Sequence, residues 1–365
     1  MNRLVVAVLL FFTGACASDV SDYPFTTREL ASFDEPWAMA FLPDGRLLVT
    51  EKQGRLLVVS VDDGSSMPVR GVPDIDYGGQ GGLGDVALHP DFAENGRIYL
   101  SYAEAGDNGT RGAAAASATL SLVPGSEALS DVEVIWRQDP KVSGRGHYGH
   151  RLLFSDDGYL FISSGDRQKF DPAQDMDGNL GKIVRLHDDG TVPDDNPFAE
   201  RGGVTAQIWS LGHRNPLGIA FDAEGQLWNH EMGPRGGDEL NRVLKGKNYG
   251  YPIVSNGRHY DGRDIPDHDT RPEFEAPKAW WTPVISPGGF MIYSGNSFPE
   301  WQGDGFIAGL SSEALIRIEF DGENAREAER FPMGKRIRAV VEGPDGAIWL
   351  LEDKKGGRLL KLTPR

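Results

Sequence analysis

The chain has 365 residues, with 37 basic and 54 acidic side chains and a net charge of −17, and it contains no basic run able to hold a nucleic-acid backbone through counterion release. Hydrophobic residues at 39% and aromatics at 10% are enough for a substantial core and argue against global disorder. The 47 glycines and 23 prolines make it turn-rich without reaching low complexity, the composition of a mostly β protein.

At the N-terminus, Arg3 precedes the apolar run Leu4 to Phe12 and the small residues Ala15-Cys16-Ala17-Ser18, the plan of a secretory signal peptide. The run is too short to span a bilayer, which takes about 20 apolar residues. Cys16, the only cysteine, follows Gly14-Ala15 as an acylated lipoprotein cysteine would, although Thr13 stands where Leu is usual and Ala15-Cys16-Ala17 also reads as a cleavage site. Both outcomes, a lipid anchor at Cys16 or a free secreted protein, give an exported, periplasmic domain without a disulfide. The expected division is a leader and short linker over 1–19 and one domain over 20–365.

One unit then recurs along the chain: an apolar segment, a polar turn ending in Gly, and a second apolar segment often followed by an acidic residue. It reads AFLPDGRLLVTE from Ala40, VALHPDFAENGRIYLSY from Val86, LLFSDDGYLFISSGD from Leu152, IAFDAEGQLWNHE from Ile219, a looser MIYSGNSFPEWQGDGFIAGL from Met291, and VVEGPDGAIWLLED from Val340. Each is a hairpin by its Asp-Gly or Asn-Gly turn and flanking β-branched or aromatic residues. Six copies predict an all-β, six-bladed propeller. About 58 residues per copy exceed the 40 to 45 of a minimal four-stranded blade, so long loops on the site face are expected. Two stacked β-sandwiches are the competing architecture, weakened by the lack of a linker.

The loops hold the chemistry. Gly78-Gly79-Gln80-Gly81-Gly82-Leu83-Gly84-Asp85 sets one amide among five glycines, either for close ligand approach or as a tight turn into the second blade. In Gly144-Arg145-Gly146-His147-Tyr148-Gly149-His150-Arg151, His147 is either a candidate general base or a surface loop residue. Asp166, in Ser163-Ser164-Gly165-Asp166-Arg167, returns from the hairpin that His147 starts, so it can orient that ring or cap a turn. Gly212-His213-Arg214-Asn215-Pro216 and Gly233-Pro234-Arg235-Gly236-Gly237-Asp238-Glu239-Leu240-Asn241 flank the fourth hairpin, and the second of these offers hard oxygen donors suited to Ca²⁺ without EF-hand spacing. Arg336 and Arg338 share one side of a strand and together could hold an anion.

PWAMAFLPDGRLLVTE, GGQGGLGDVALHP, GHYGHRLLF, IWSLGHRNPLGIAF, HEMGPRGGDELN and GKNYGYP, in this order between Pro36 and Leu362, resemble the soluble aldose sugar dehydrogenases that depend on pyrroloquinoline quinone (PQQ), relatives of soluble quinoprotein glucose dehydrogenase. The resemblance implies a six-bladed propeller with PQQ and Ca²⁺ that oxidises the C1 hydroxyl of aldoses to lactones. It makes His147 the base and Asp166 its orienting carboxylate. Gln80, Arg214, Asn215, Arg336 and Arg338 match positions that hold PQQ or polarise its quinone, and Tyr260 matches a cofactor contact. Gly233 and Pro234 match carbonyls that bind Ca²⁺, and Glu239 and Tyr249 match a second calcium site. Two departures stand out. His150 replaces a usual Gly, which implies a narrower mouth, and Ser311 stands after Gly309-Leu310 where a PQQ-binding Lys is common. The electron acceptor is external and unnamed, since no haem-attachment motif is present. A propeller that binds a polysaccharide or protein without catalysis, and a Ca²⁺-dependent hydrolase or lactonase, are the competing readings.

Overall fold

A computed structural model describes residues 23–365, so the leader, Cys16 and the boundary at residue 20 lie outside the described residues. The described chain forms six four-stranded antiparallel sheets, five of them built from consecutive strands. All six repeats match the two inner strands of a blade, from Pro36–Phe41 and Leu47–Glu51 in the first to Ile337–Glu342 and Ile348–Glu352 in the sixth. The sixth sheet is completed from both ends of the domain, because Phe25–Asp34 pairs antiparallel with Lys355–Pro364 on its outer side. The ring therefore has no unpaired seam, which removes the edge problem of an open sheet. Among the described residues no helix is long and apolar enough to cross a membrane.

Strand alternation explains the packing. In the second strand of the first blade, Leu48 joins an apolar cluster with the second blade, while Leu47 and Val49 face the sixth. The innermost strand of every blade has an irregular register near its start, between Pro36 and Ala38, Leu83 and Val86, Gly149 and Leu152, Pro216 and Gly218, Pro287 and Phe290, and Ile337 and Ala339. Such irregularities re-aim side chains at a sheet end. Here they fall at one face of the ring, where the innermost strands begin and the second strands end, and the candidate residues lie on that face.

The acidic residue that closes several repeats has a structural use. Glu51 accepts the Asp34 N–H at 2.6 Å and Glu231 accepts the Arg214 N–H at 2.5 Å, in each case from the residue two before the Pro that starts the innermost strand. Both carboxylates are buried. The repeat thus carries its own clamp for the loop that presents site residues.

Candidate active site

Two adjoining spaces open on this face, a cleft of 1080 Å³ and a smaller cavity of 280 Å³ that share Gln80 and Met232 in their walls. His147, Arg214, Gly233, Pro234 and Tyr260 line the cleft. Asn215, Arg336 and Arg338 line the smaller cavity. Asp166 stands behind His147, fully buried, with its Oδ1 2.6 Å from His147 Nδ1. Because a carboxylate only accepts, Nδ1 carries the proton and the Nε2 lone pair is left for chemistry.

The dyad is held on all sides. Gln80 Oε1 accepts the His147 N–H at 2.7 Å, which ties the glycine-rich loop to the base. Asp166 also accepts the N–H groups of Gln168 at 3.0 Å and Phe170 at 3.2 Å. His147, His150, Arg167, Gln168 and Phe170 all have φ between 50° and 65°, five of the eleven non-glycine residues at positive φ among the described residues. Such backbone persists only where its surroundings over-determine it, and the concentration here marks a pre-organised site. Burial, partly offset by Asp166 and reinforced by the Arg214 charge, holds the imidazole below the usual histidine range, so it is neutral and basic at neutral pH.

Arg214 is almost fully buried and donates through one terminal nitrogen to Met232 O at 2.8 Å and Gly233 O at 2.6 Å, and through the other to the Tyr260 hydroxyl at 3.3 Å. Tyr260 is 70% exposed and stands at the open rim. The Gly233 loop is shaped by Asp238, which accepts the N–H groups of Gly233, Ile285 and Ser286 at 2.7 to 2.8 Å and whose pKa burial pushes up to about 6. Arg336 and Arg338 both pair with Asp353 at 2.8 Å, so they do share a side as expected. Asn215 Oδ1 accepts the Gly149 N–H at 3.2 Å.

Glu239 and Tyr249, the expected second calcium pair, line neither space. They sit in a buried polar layer between the third and fourth blades, where Glu239 Oε1 is 3.3 Å from His268 Nε2 and the Tyr249 ring stacks on His213 at 4.7 Å. The Tyr249 hydroxyl accepts the Leu244 N–H at 2.9 Å and donates to Arg242 O. His150 is in the wall of the smaller cavity. Its ring is turned inward, stacked on Trp37 at 4.8 Å and 2.8 Å from Ser101 Oγ, and burial beside Arg151 lowers its pKa to about 3. The glycines of the 78–84 loop make room for protein more than for ligand, since a Cβ at Gly81 would lie 2.8 Å from the Tyr148 ring and one at Gly84 1.9 Å from the His150 ring. Ser311 is exposed and bonded to Val284 O, and its neighbour Leu310 lines the smaller cavity.

Other contributors escaped the sequence reading. Asp353 gathers the two arginines, and Gln138 joins the strands beneath the dyad through Ala113 N, Tyr148 O and Ser164 Oγ. Gln138 lies in no motif, whereas Asp353 is the last residue of the sixth repeat, VVEGPDGAIWLLED.

The chain matches the glucose/sorbosone dehydrogenase family over residues 33–361. It is 43% identical over 338 residues to an aldose sugar dehydrogenase of Escherichia coli (strain K12), covering 91% of each chain. The apo crystal structure of a soluble aldose sugar dehydrogenase from Escherichia coli superimposes with a TM-score of 0.88 at 42% identity, over 93% of this chain and 100% of that one. The PQQ-bound form of an aldose sugar dehydrogenase from Streptomyces coelicolor gives 0.79 at 28% identity, over 93% and 98%. With this architecture and a match over nearly the whole described chain, the protein belongs to the glucose/sorbosone dehydrogenase family.

Proposed function

We propose that the protein oxidises the C1 hydroxyl of aldose sugars to the lactone, using PQQ and Ca²⁺. The observation that carries this reading is the buried His147–Asp166 dyad, whose base faces a cleft also lined by Gln80 and Arg214. The residues present suit the cofactor. PQQ carries three carboxylates, and in the smaller cavity Lys52, Arg336, Arg338 and Lys354 face only Glu35 and Asp353, a local excess of positive charge within a chain of net −17. The buried Tyr148 hydroxyl and Arg214 Nε have no protein partner and are left to serve a polar ligand.

The donors for calcium are hard oxygens. Gly233 and Pro234 line the cleft, and their main-chain carbonyls are donors of the kind Ca²⁺ takes, Gly233 O also accepting from Arg214 at 2.6 Å. In the buried layer Asn241 Oδ1 lacks a partner close to Glu231 and Glu239, which fits a second cation there. Among the described residues no three His, Cys, Asp or Glu side chains converge on one point, so main-chain and amide oxygens would have to complete any cation site.

When bound, PQQ with its Ca²⁺ would supply the two-electron acceptor that oxidation at C1 needs. The chain supplies the rest. His147 Nε2 takes the C1 hydroxyl proton, Asp166 keeps the ring in the reactive tautomer and stabilises the imidazolium that forms, and burial, reinforced by the Arg214 charge, favours the neutral resting imidazole. Tyr260, exposed at the rim, lies where an arriving sugar ring would pass. Electrons leave to an external acceptor.

The test is to titrate the apoprotein with PQQ at several Ca²⁺ concentrations, following cofactor absorbance and dye-linked oxidation of a panel of aldoses. Saturable PQQ binding with aldose turnover is expected. Absence of binding at every Ca²⁺ concentration, or a bound form that leaves all aldoses unoxidised, rejects the reading.

A further inference from the structure

We infer that Lys52 is a third cation for the PQQ carboxylates, acting beside Arg336 and Arg338 in place of the lysine that Ser311 replaces. The inference rests on the PQQ reading above. Its basis is the position of Lys52 in the ring. Lys52 follows Glu51, the last residue of the second strand of the first blade, just as Asp353 follows Glu352 in the sixth and Leu310-Ser311 follow Gly309 in the fifth. The fifth and first blades flank the sixth, which carries the two arginines. On the fifth-blade flank the cavity wall is Leu310, an apolar side chain, while on the first-blade flank it is Lys52. The cation has thus moved from one neighbour of the arginine blade to the other.

The lysine is held ready. Its Nζ donates to Gly79 O at 2.9 Å, which docks it on the loop that bears Gln80, and lies 3.8 Å from Glu35 Oε1. Tyr77 donates to the other oxygen of Glu35 and so holds that carboxylate in place. Only 14% of the Lys52 side chain is exposed. Charge-assisted contacts of this kind are among the stronger polar interactions in proteins.

Two measurements test it. In PQQ titrations of the apoprotein at fixed Ca²⁺, read by cofactor absorbance, Lys52→Gln should weaken binding about 10-fold or more and flatten its salt dependence, while Lys52→Arg stays close to wild type. Separately, lysine acylation read by mass spectrometry should show PQQ protecting Lys52 but not the distant Lys245, a result that a purely structural lysine would not give. Unchanged affinity in Lys52→Gln, or equal acylation of Lys52 with and without PQQ, overturns the inference. If wild type binds no PQQ at all, the cofactor reading falls and this inference with it, whereas tight wild-type binding that ignores Lys52 removes only the inference.

Discussion

The junction of the sixth and first blades differs sharply from that of the third and fourth. At the first, eleven buried apolar residues, among them Phe33, Met39, Val49, Trp349 and Leu359, pack where the ring closes. At the second, the buried apolar set shrinks to Phe161, Ile183, Ile219, Leu227 and Val243, and the space towards the site is filled by Ser210, His213, Asn229, Glu231, Glu239 and Asn241. Both amide atoms of Asn229 lack a partner. Burying apolar area stabilises by about 25 cal/mol per Å², while an unpaired buried polar group costs about 1 to 3 kcal/mol. The ring is therefore stabilised where it closes, and tolerates a costlier junction where polar groups must be placed for chemistry.

The largest expected effect is at the dyad. His147→Gln should lower the saturated rate of aldose oxidation by about 10² to 10⁴-fold with PQQ affinity kept within a few-fold, because only the base is lost. Retention of one tenth of the wild-type rate would remove His147 from that role. The complementary change at the closure is Trp349→Ala. Trp349 is buried at 2% exposure and meets Phe41 edge-on at 5.3 Å, so its loss should cost about 3 to 5 kcal/mol in urea unfolding and leave the rate of the surviving folded enzyme unchanged. A milder effect of each on the other's property is what separates the two regions.

Calcium should act on the polar junction. Binding to the folded state alone at 100 times its dissociation constant adds about 2.7 kcal/mol, so chelation should lower the melting temperature, and Glu239→Gln should blunt that response. An identical melting temperature with and without chelator would count against a cation in the 3/4 layer.

The smallest effect is on pH dependence. Burial lowers the His147 pKa, so the base form persists into acid, and kcat/KM should stay level as pH falls through about 6.5 and drop only below it. A decline already centred at or above that value would contradict the buried, neutral base.

The repeats made the ring legible because a hairpin is a local signal, and each of the six fell on the inner strands of one blade. The His147–Asp166 pair was legible for the same reason, since the two residues flank one hairpin. Arg336, Arg338 and Asp353 likewise flank one hairpin, the sixth, so their pairing is local as well. What was not legible came from contacts between blades, since a single lysine after a strand looks like any solvated lysine until the ring sets Lys52 against the sixth blade. For His150 the packing was not legible: a positive φ of 60° and the missing Cβ of Gly84 let its ring stack on Trp37 in the wall of the smaller cavity.

The strand Phe25–Asp34 has a kinetic consequence. Phe25 lies opposite Pro364, so its ladder joins residues at nearly the greatest separation the described chain allows. Bringing ends together over that span costs on the order of 5 kcal/mol in loop-closure entropy, and no local contact repays it early. Five blades can assemble from neighbouring segments before the sixth is complete, and until then the apolar face that includes Trp349 and Leu359 stays open to water. Ring closure should therefore be the late, slow step of refolding, and the interval before it the time when the chain is most prone to aggregate.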